Sequence, residues 1–310
     1  MIESTNASKT PSSGEFADIK KYIGVASVNI LAINPNNEKL RMYGWNIPDD
    51  APEPTYVKTV EKDGKQQKFT RVRFLVQIQD LEDKPVTYLD FLCRPEYSQN
   101  NPEQGKPKKW KIIDSYCRTA WATKEEIDNH RVPQYANGPA NISTPYKVCH
   151  PGEEEILTFL FKYLNINPLQ IFDRTRQTWV SNANPGRLTI DDWKEICNGN
   201  VKELAYYASR QPENCVKVVL GVQSTDDNKT YQTFLNTGYI GNGARPDATT
   251  GEYVSARKLI DKYYSSREQS NYSFSAMPVK EWTVTPTTVE DNSLEPQPDD
   301  LPFFGDEPQW

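Results

Sequence analysis

The chain has 310 residues, a mean hydropathy of −0.75 and a formal net charge of −6. That length can bury one large core or two small ones. No run approaches the roughly 20 apolar residues of a membrane helix, and the opening MIESTNASKTPSSGEF lacks the basic start and apolar stretch of a signal peptide.

Residues 1–20 read as a flexible arm. Residues 22–33, YIGVASVNILAI, are a nearly continuous β-favouring run and predict a buried first strand. Asn34-Pro35-Asn36-Asn37 predicts a turn. From Leu40 to Trp45 a strand or bulge is expected, with Arg41, Tyr43 and Trp45 on one alternating face. Asp63-Gly64 marks a hairpin tip. Residues 69–79, FTRVRFLVQIQ, place Val72, Phe74, Val76 and Ile78 on one face. Arg71, Arg73, Gln77 and Gln79 take the other, interrupted by Leu75, which predicts a half-buried antiparallel strand with a basic outer face. After a turn at Leu81–Pro85, residues 86–93 form the next strand. A polar loop ends in Lys106-Pro107-Lys108-Lys109 and runs into one more strand over 110–121.

Residues 128–150 read as loop. Helices are expected over 153–166, from an N-cap at Thr189, and from 201. The first has an apolar face of Ile156, Leu157, Leu160, Phe161 and Leu164, with its acids in the first turn, where the helix dipole favours them. In the second, Asp192 stands three residues after the cap, as in a capping box, and Trp193, Ile196 and Cys197 form the buried stripe. Strands return at 215–223 and 229–240, and a basic helix covers 254–267. Short strands joined by one short and two long loops predict a mainly β, α+β chain. The expected architecture is an OB-like Greek-key barrel over 21–270, with a helical insertion around 151–210 and a disordered acidic tail over 271–310.

That tail alters the charge balance. Residues 281–310 hold eight acids (Glu281, Glu290, Asp291, Glu295, Asp299, Asp300, Asp306, Glu307) and no base, so residues 1–280 carry 36 basic against 34 acidic side chains. A near-neutral, slightly basic body is tethered to an acidic arm. Pro296, Pro298, Pro302 and Pro308 oppose a helix there, and charge with little apolar surface does not offset the entropy of ordering. Leu301, Phe303, Phe304 and Trp310 nonetheless give the arm a docking character. Asp299-Asp300-Leu301-Pro302-Phe303 resembles the acidic tip of bacterial and phage single-stranded DNA-binding proteins. In bacterial members the Pro-Phe pair is the C-terminus. Here Phe304 to Trp310 follow, similar to phage proteins that end in an acidic run and one aromatic. The resemblance implies that the tip recruits a polymerase, primase or helicase, and that the arm covers a basic groove until DNA displaces it.

Cations and rings interleave across the first β region: Arg41, Tyr43, Trp45, Arg71, Arg73, Tyr88, Arg94, Lys108, Lys109, Trp110, Lys111, Tyr116, Arg118 and Trp121. A sequence-tolerant single-strand binder needs this mixture, with cations along the phosphates and exposed rings under the bases. Taken singly, each of these residues is better explained as core or solvated surface; the set is what carries the reading. The expected groove is lined by Arg71, Arg73, Arg94, Lys108, Lys109, Lys111 and Arg118, with Trp45, Tyr88, Tyr116 and Trp121 as stacking rings.

Five scattered cysteines (Cys93, Cys117, Cys149, Cys197, Cys215) fit reduced thiols in a cytoplasm better than a disulfide framework. Cys93, Cys117, His130, Cys149 and His150 lack the spacing of structural zinc sites, so no metal or other cofactor is expected. Catalysis is not expected either: there are two histidines and no P-loop, G-x-S-x-G or H-E-x-x-H. The leading expectation is a non-catalytic single-stranded DNA-binding protein of replication and recombination. The alternative is a β-rich structural or assembly protein, such as one of a virion, with a partner-docking tail. A weaker third is a metal-dependent nuclease using acids such as Asp80, Asp90 and Asp114.

Overall fold

The structure is a computed structural model that describes residues 20–62, 65–114, 118–129, 146–164, 170–173, 175–181, 188–209, 213–224, 230–240, 245–265 and 280–281. The first strand, β1 (Tyr22–Ile33), pairs antiparallel on both sides. One neighbour is β3 (Lys65–Ile78) and the other is β10 (Val216–Ser224). A register shift between Ile30 and Ala32 lets β1 follow β3 past Val76 and Leu75, and such a bulge increases local twist. Along the edge it shares with β1, β3 also pairs with β2 (Val57–Lys62), its opposite edge pairs with β4 (Val86–Cys93), and β10 pairs with β11 (Thr230–Ile240). A short strand, β12 (Lys280–Glu281), adds to the start of β1.

The fold is therefore α+β, with antiparallel sheets that are not closed. The path β4–β3–β1–β10–β11 leaves β4 and β11 as its two edges. The edges nevertheless approach at Gln232. Its N–H donates to the Tyr88 hydroxyl at 3.2 Å, and its Oε1 accepts from Thr87 Oγ1 at 3.3 Å. Gln232 also spans to β1, accepting from Tyr22 N at 2.8 Å and donating back to Tyr22 O at 2.8 Å. A buried amide satisfied on both its donor and acceptor ends fixes the register of three strands at one point.

The inner face of this sheet packs against three helices. Residues Val72, Phe74, Val76 and Ile78 of β3 take the buried side that their alternation predicts. The first helix to cover them is α3 (Glu153–Leu164), whose Phe159 meets Phe74 and Phe91 edge-on or tilted at 5.1 and 5.6 Å. Removing such a buried ring costs about 3–5 kcal/mol. Helix α4 (Ile190–Cys197) starts at the expected capping box and buries Trp193, Ile196 and Cys197. Helix α5 (Lys202–Ala208) adds Leu204 and Ala208. On the other side of the β10–β11 hairpin, α6 (Val254–Ser265) buries Ala256 and Ile260 against Ile23, Val219 and Leu235.

Two smaller sheets complete the described chain. The first holds β5 (Lys109–Asp114), β6 (Thr119–Thr123) and β7 (Tyr146–Val148). The hairpin β8 (Gln170–Asp173) and β9 (Thr178–Ser181) is the second. A short helix α2 (Lys124–Asp128) follows β6 from a capping box of Thr123 and Glu126.

Two expectations about elements are corrected. Residues 40–45 are not a strand: 40–42 are the end of α1 (Asn37–Met42), started by Asn36, whose side chain accepts from Lys39 N at 2.9 Å, and 43–45 form the turn that leaves it. The stretch 110–121 is not one strand but the hairpin β5–β6, with Lys111 opposite Trp121. Tyr116 and Cys117 lie outside the described residues, as do Asp63-Gly64, His130 and the whole of 282–310.

Candidate nucleic-acid interface

Opposite its core side, β3 presents Phe69, Arg71, Arg73, Leu75 and Gln77. The register with β4 places Leu92 across from Arg71, Asp90 across from Arg73 and Tyr88 across from Leu75. Continuing it sets Arg94 beside Phe69. One side-chain strip thus runs along both strands, and its two halves differ.

The first half is roofed. Helix α1 and the loop after it lie over Leu75, forming a small apolar cluster of Leu40, Ile47 and Leu75 with Trp45 and Tyr43 against it. Asn37 ties the helix to that loop by donating to the Ala51 and Pro52 carbonyls at 3.0 Å each. Arg41 closes it, donating from Nε to the Ile47 carbonyl at 2.9 Å and from Nη2 to the Pro48 carbonyl. Beneath the roof, Arg73 is 1 % exposed, which corrects its expected place on a solvated basic face. Its guanidinium makes two parallel 2.7 Å bonds to Asp90 and lies 4.1 Å from the centre of the Tyr88 ring. Tyr88 is likewise buried, with the Trp45 ring edge-on at 6.4 Å, so it is not an exposed stacking surface. Burial alone would raise the Asp90 carboxyl, but Arg73 outweighs it and holds the group below its ordinary range. Burial pulls the Arg73 guanidinium down, and Asp90 more than restores it. A planar fork on a carboxylate in a dry site is a geometry that favours arginine over lysine.

The second half is open. The Arg71 side chain is 38 % exposed and only 3.5 Å from the already engaged Asp90. Arg94 lies over the Phe69 ring at 4.6 Å, and Phe69, Leu92 and Arg94 are all half-buried. Lys58 of β2 pairs with Phe69 and is exposed. Cations, one ring and apolar surface are therefore presented together on a platform of three paired strands. Phe69, Lys58 and Leu92 escape a reading that looks for Trp, Tyr and Arg one strand at a time. The β2–β3 and β3–β4 registers are the signals that find them.

Beyond Arg94 the chain crosses to the small sheet. Arg94 N donates to the Pro151 carbonyl at 3.3 Å, Ser98 N to Cys149 O at 3.0 Å, and Asn100 N to Lys109 O at 3.1 Å. Gly152 makes this crossing possible. Its φ is +84°, and a Cβ there would collide with the Leu92 carbonyl oxygen. On β5, Lys108 is exposed and lies 5.8 Å from the Trp110 ring, while Lys109, Trp110 and Trp121 are half-buried. Other cations here have acidic partners. Lys111 pairs with Glu154 at 2.7 Å, and that pair raises its pKa against the effect of burial. Arg118 pairs through Nη2 at 2.6 Å and Nε at 2.7 Å with Asp114, which is fully buried.

His150 ends the crossing. Its ring is 4.4 Å from Tyr97 and 5.6 Å from Trp193, at interplanar angles of 31° and 25°. Glu153 bonds both its backbone N–H (3.2 Å) and Nδ1 (3.3 Å). Trp193 Nε1 donates to the Arg94 carbonyl at 3.0 Å, tying this pile to the open half of the strip. Cys93, Cys149 and Cys197 are buried thiols. Burial pushes Cys197 up to about 12, and raises Cys93 and Cys149 as well, so they stay protonated at neutral pH and are poor ligands or nucleophiles. Among the described residues, no three His, Cys, Asp or Glu side chains are grouped to hold a metal, and no helix is long and apolar enough to cross a membrane.

Compared with family models, curated proteins and solved structures, the chain matched none.

Proposed function

We propose that this is a non-catalytic, cytoplasmic single-stranded DNA-binding protein that serves replication and recombination. The observation that carries the reading is the open half of the β3–β4 strip. Lys58, Arg71 and Arg94 share a face with Phe69 and Leu92, and the chain leads on to Lys108, Lys109 and Trp110. Phosphates follow the cations while bases meet rings and apolar surface, a combination that tolerates any sequence. The groove so drawn omits Arg73, Tyr88, Lys111 and Arg118, which the fold occupies elsewhere.

An OB-type barrel is part of the proposal. Supporting it, β1 is shared by two antiparallel hairpins, β3–β4 and β10–β11, whose outer edges approach at Gln232. In that fold the face of the second and third strands binds oligonucleotides, which here are β3 and β4. The acidic tail, with Asp299, Asp300, Leu301, Pro302, Phe303, Phe304 and Trp310, masks the groove in the absence of DNA. Once displaced, it docks replication proteins.

Titration of the full chain with oligo-dT at two salt concentrations, followed by tryptophan fluorescence, tests this. Five cations on phosphates predict a slope of log affinity against log salt of about −3.5 for a single strand. Absence of binding at low salt, for the full chain and for a chain lacking 290–310 alike, would overturn the proposal. It would favour an assembly protein whose tail docks a partner.

A further inference from the structure

We infer that Tyr97 is a base-stacking platform, the outermost ring of a three-ring pile built on Trp193 and His150, placed midway along the path of a bound single strand. The inference rests on the single-strand reading and adds to it a site that charge and strand pattern do not suggest.

Tyr97 is 41 % exposed, whereas His150 and Trp193 are 6 % and 1 % exposed. A lone exposed tyrosine in a loop is ordinary. This one has a ring against one side, and that ring is fixed. His150 is held by Glu153 at two atoms and backed by Trp193. Glu153 is itself fully buried and paired with Lys147. The layers beneath are each held by the next, so the ring of Tyr97 rests on a fixed surface on one side and leaves its other side accessible. A pre-ordered aromatic plane binds a flat ligand better than a free one, because the ordering cost has already been met in folding.

Placement selects a nucleobase as that ligand. Tyr97 lies three residues after Arg94, which stands over Phe69 in the open strip. On its other side the backbone of Ser98 and Asn100 pairs with β5 at Lys111 and Lys109. A strand passing from one cation group to the other crosses the exposed tyrosine between them. An apolar peptide side chain would use the ring but has no use for cations on both sides, whereas a nucleotide uses both.

The test compares Tyr97→Ala and Tyr97→Phe with the unaltered chain for oligo-dT and for an abasic deoxyribose-phosphate oligomer of the same length. Loss of one base stack lowers oligo-dT affinity by about five-fold or more. The alanine variant is expected to show this loss with an unchanged salt slope. The phenylalanine variant is expected to stay within about two-fold, and the abasic oligomer to bind all three chains alike. Thermal unfolding of the alanine variant, whose lost side chain is exposed, checks that the pile remains. Equal oligo-dT binding by the alanine variant overturns the platform while leaving the single-strand proposal intact. So does an equal loss in the phenylalanine variant, a changed slope, or an equal loss on the abasic oligomer. If the unaltered chain binds no oligo-dT, both readings fall together.

Discussion

Arg71 and Arg73 are two residues apart, on the same strand and the same face, and each has Asp90 within reach. Their environments are opposite. Arg73 is sealed under α1 and its loop, bound at two atoms to Asp90 and laid on Tyr88. Arg71 stands just past the edge of that roof, over a third exposed, with one longer contact to the same carboxylate. What separates a buried arginine from an accessible one is not the strand pattern, which is identical, but what the rest of the chain lays over it. The consequence is a division: the roofed half ties β3 to β4 through a buried ion pair, and the open half leaves its cations accessible on that fixed surface.

The largest test of this division is on the roofed side. Asp90→Ala leaves Arg73 charged and without its partner in a dry site, and breaking such a pair costs about 3–5 kcal/mol. Because the Asp90 side chain is 24 % exposed, the lower end is expected. Replacing both partners, with Arg73→Met and Asp90→Leu, costs much less than the single change, since no orphan charge remains. Urea unfolding followed by tryptophan fluorescence measures both. The pH dependence has a definite sign. The folded-state carboxyl of Asp90 is depressed, so its contribution is complete above the unfolded value of about 3.9 and is lost as pH falls through the lower folded value. The gap between the unaltered chain and Asp90→Asn is therefore wide at pH 7 and closes below about pH 4. A single change at Asp90 that costs no more than Arg71→Ala would break the comparison.

On the open side the expected effects are on binding. Arg71→Ala and Arg94→Ala each reduce the salt slope by about 0.7, the value for one phosphate on a single strand. Each changes stability by no more than about 1 kcal/mol, because a partly exposed ion pair at Arg71 and a partly exposed cation–ring contact at Arg94 are each worth that or less. Loss of stability without loss of slope at either position would move it to the roofed class.

Much of this architecture is legible in the sequence. Strand β4 spans the residues its pattern predicts, and Thr189 with Asp192 caps α4 as expected, because both signals are local. The helix at 37–42 is not legible by period: six residues are too few turns, and Arg41, Tyr43 and Trp45 alternate as a strand would. Asn36, a good N-cap residue beside a proline, was the available clue. The burial of Arg73 needs the register of two strands together with a roof drawn from an earlier segment, neither of which alternation encodes. Both strands and their turn can nevertheless be read, and aligning them across Leu81–Pro85 sets Arg73 against Asp90 and Phe69 against Arg94. The Tyr97 pile is the least legible part. Its three rings come from a loop, a helix approach and a helix far apart in the chain, and stacking leaves no periodic trace.

The smallest expected effect concerns the acidic arm, and it sharpens the comparison by asking which half the arm touches. An intramolecular competitor that pairs with the open cations lowers apparent DNA affinity only while it is not screened. Deleting 290–310 is then expected to tighten oligo-dT binding several-fold at about 0.01 M salt, where the Debye length is ~30 Å. The advantage shrinks by about 0.1 M, where the length is ~10 Å. Converting the seven acids of that segment to their amides while keeping Leu301, Phe303, Phe304 and Trp310 separates charge from docking. If masking is electrostatic, the amide variant binds DNA as the deletion does, whereas replacing the four apolar residues with serine leaves DNA affinity where it was. The tightening also depends on the open strip. In a chain already carrying Arg71→Ala and Arg94→Ala, the deletion has less left to unmask and yields a smaller gain. An undiminished gain would place the arm on some other surface.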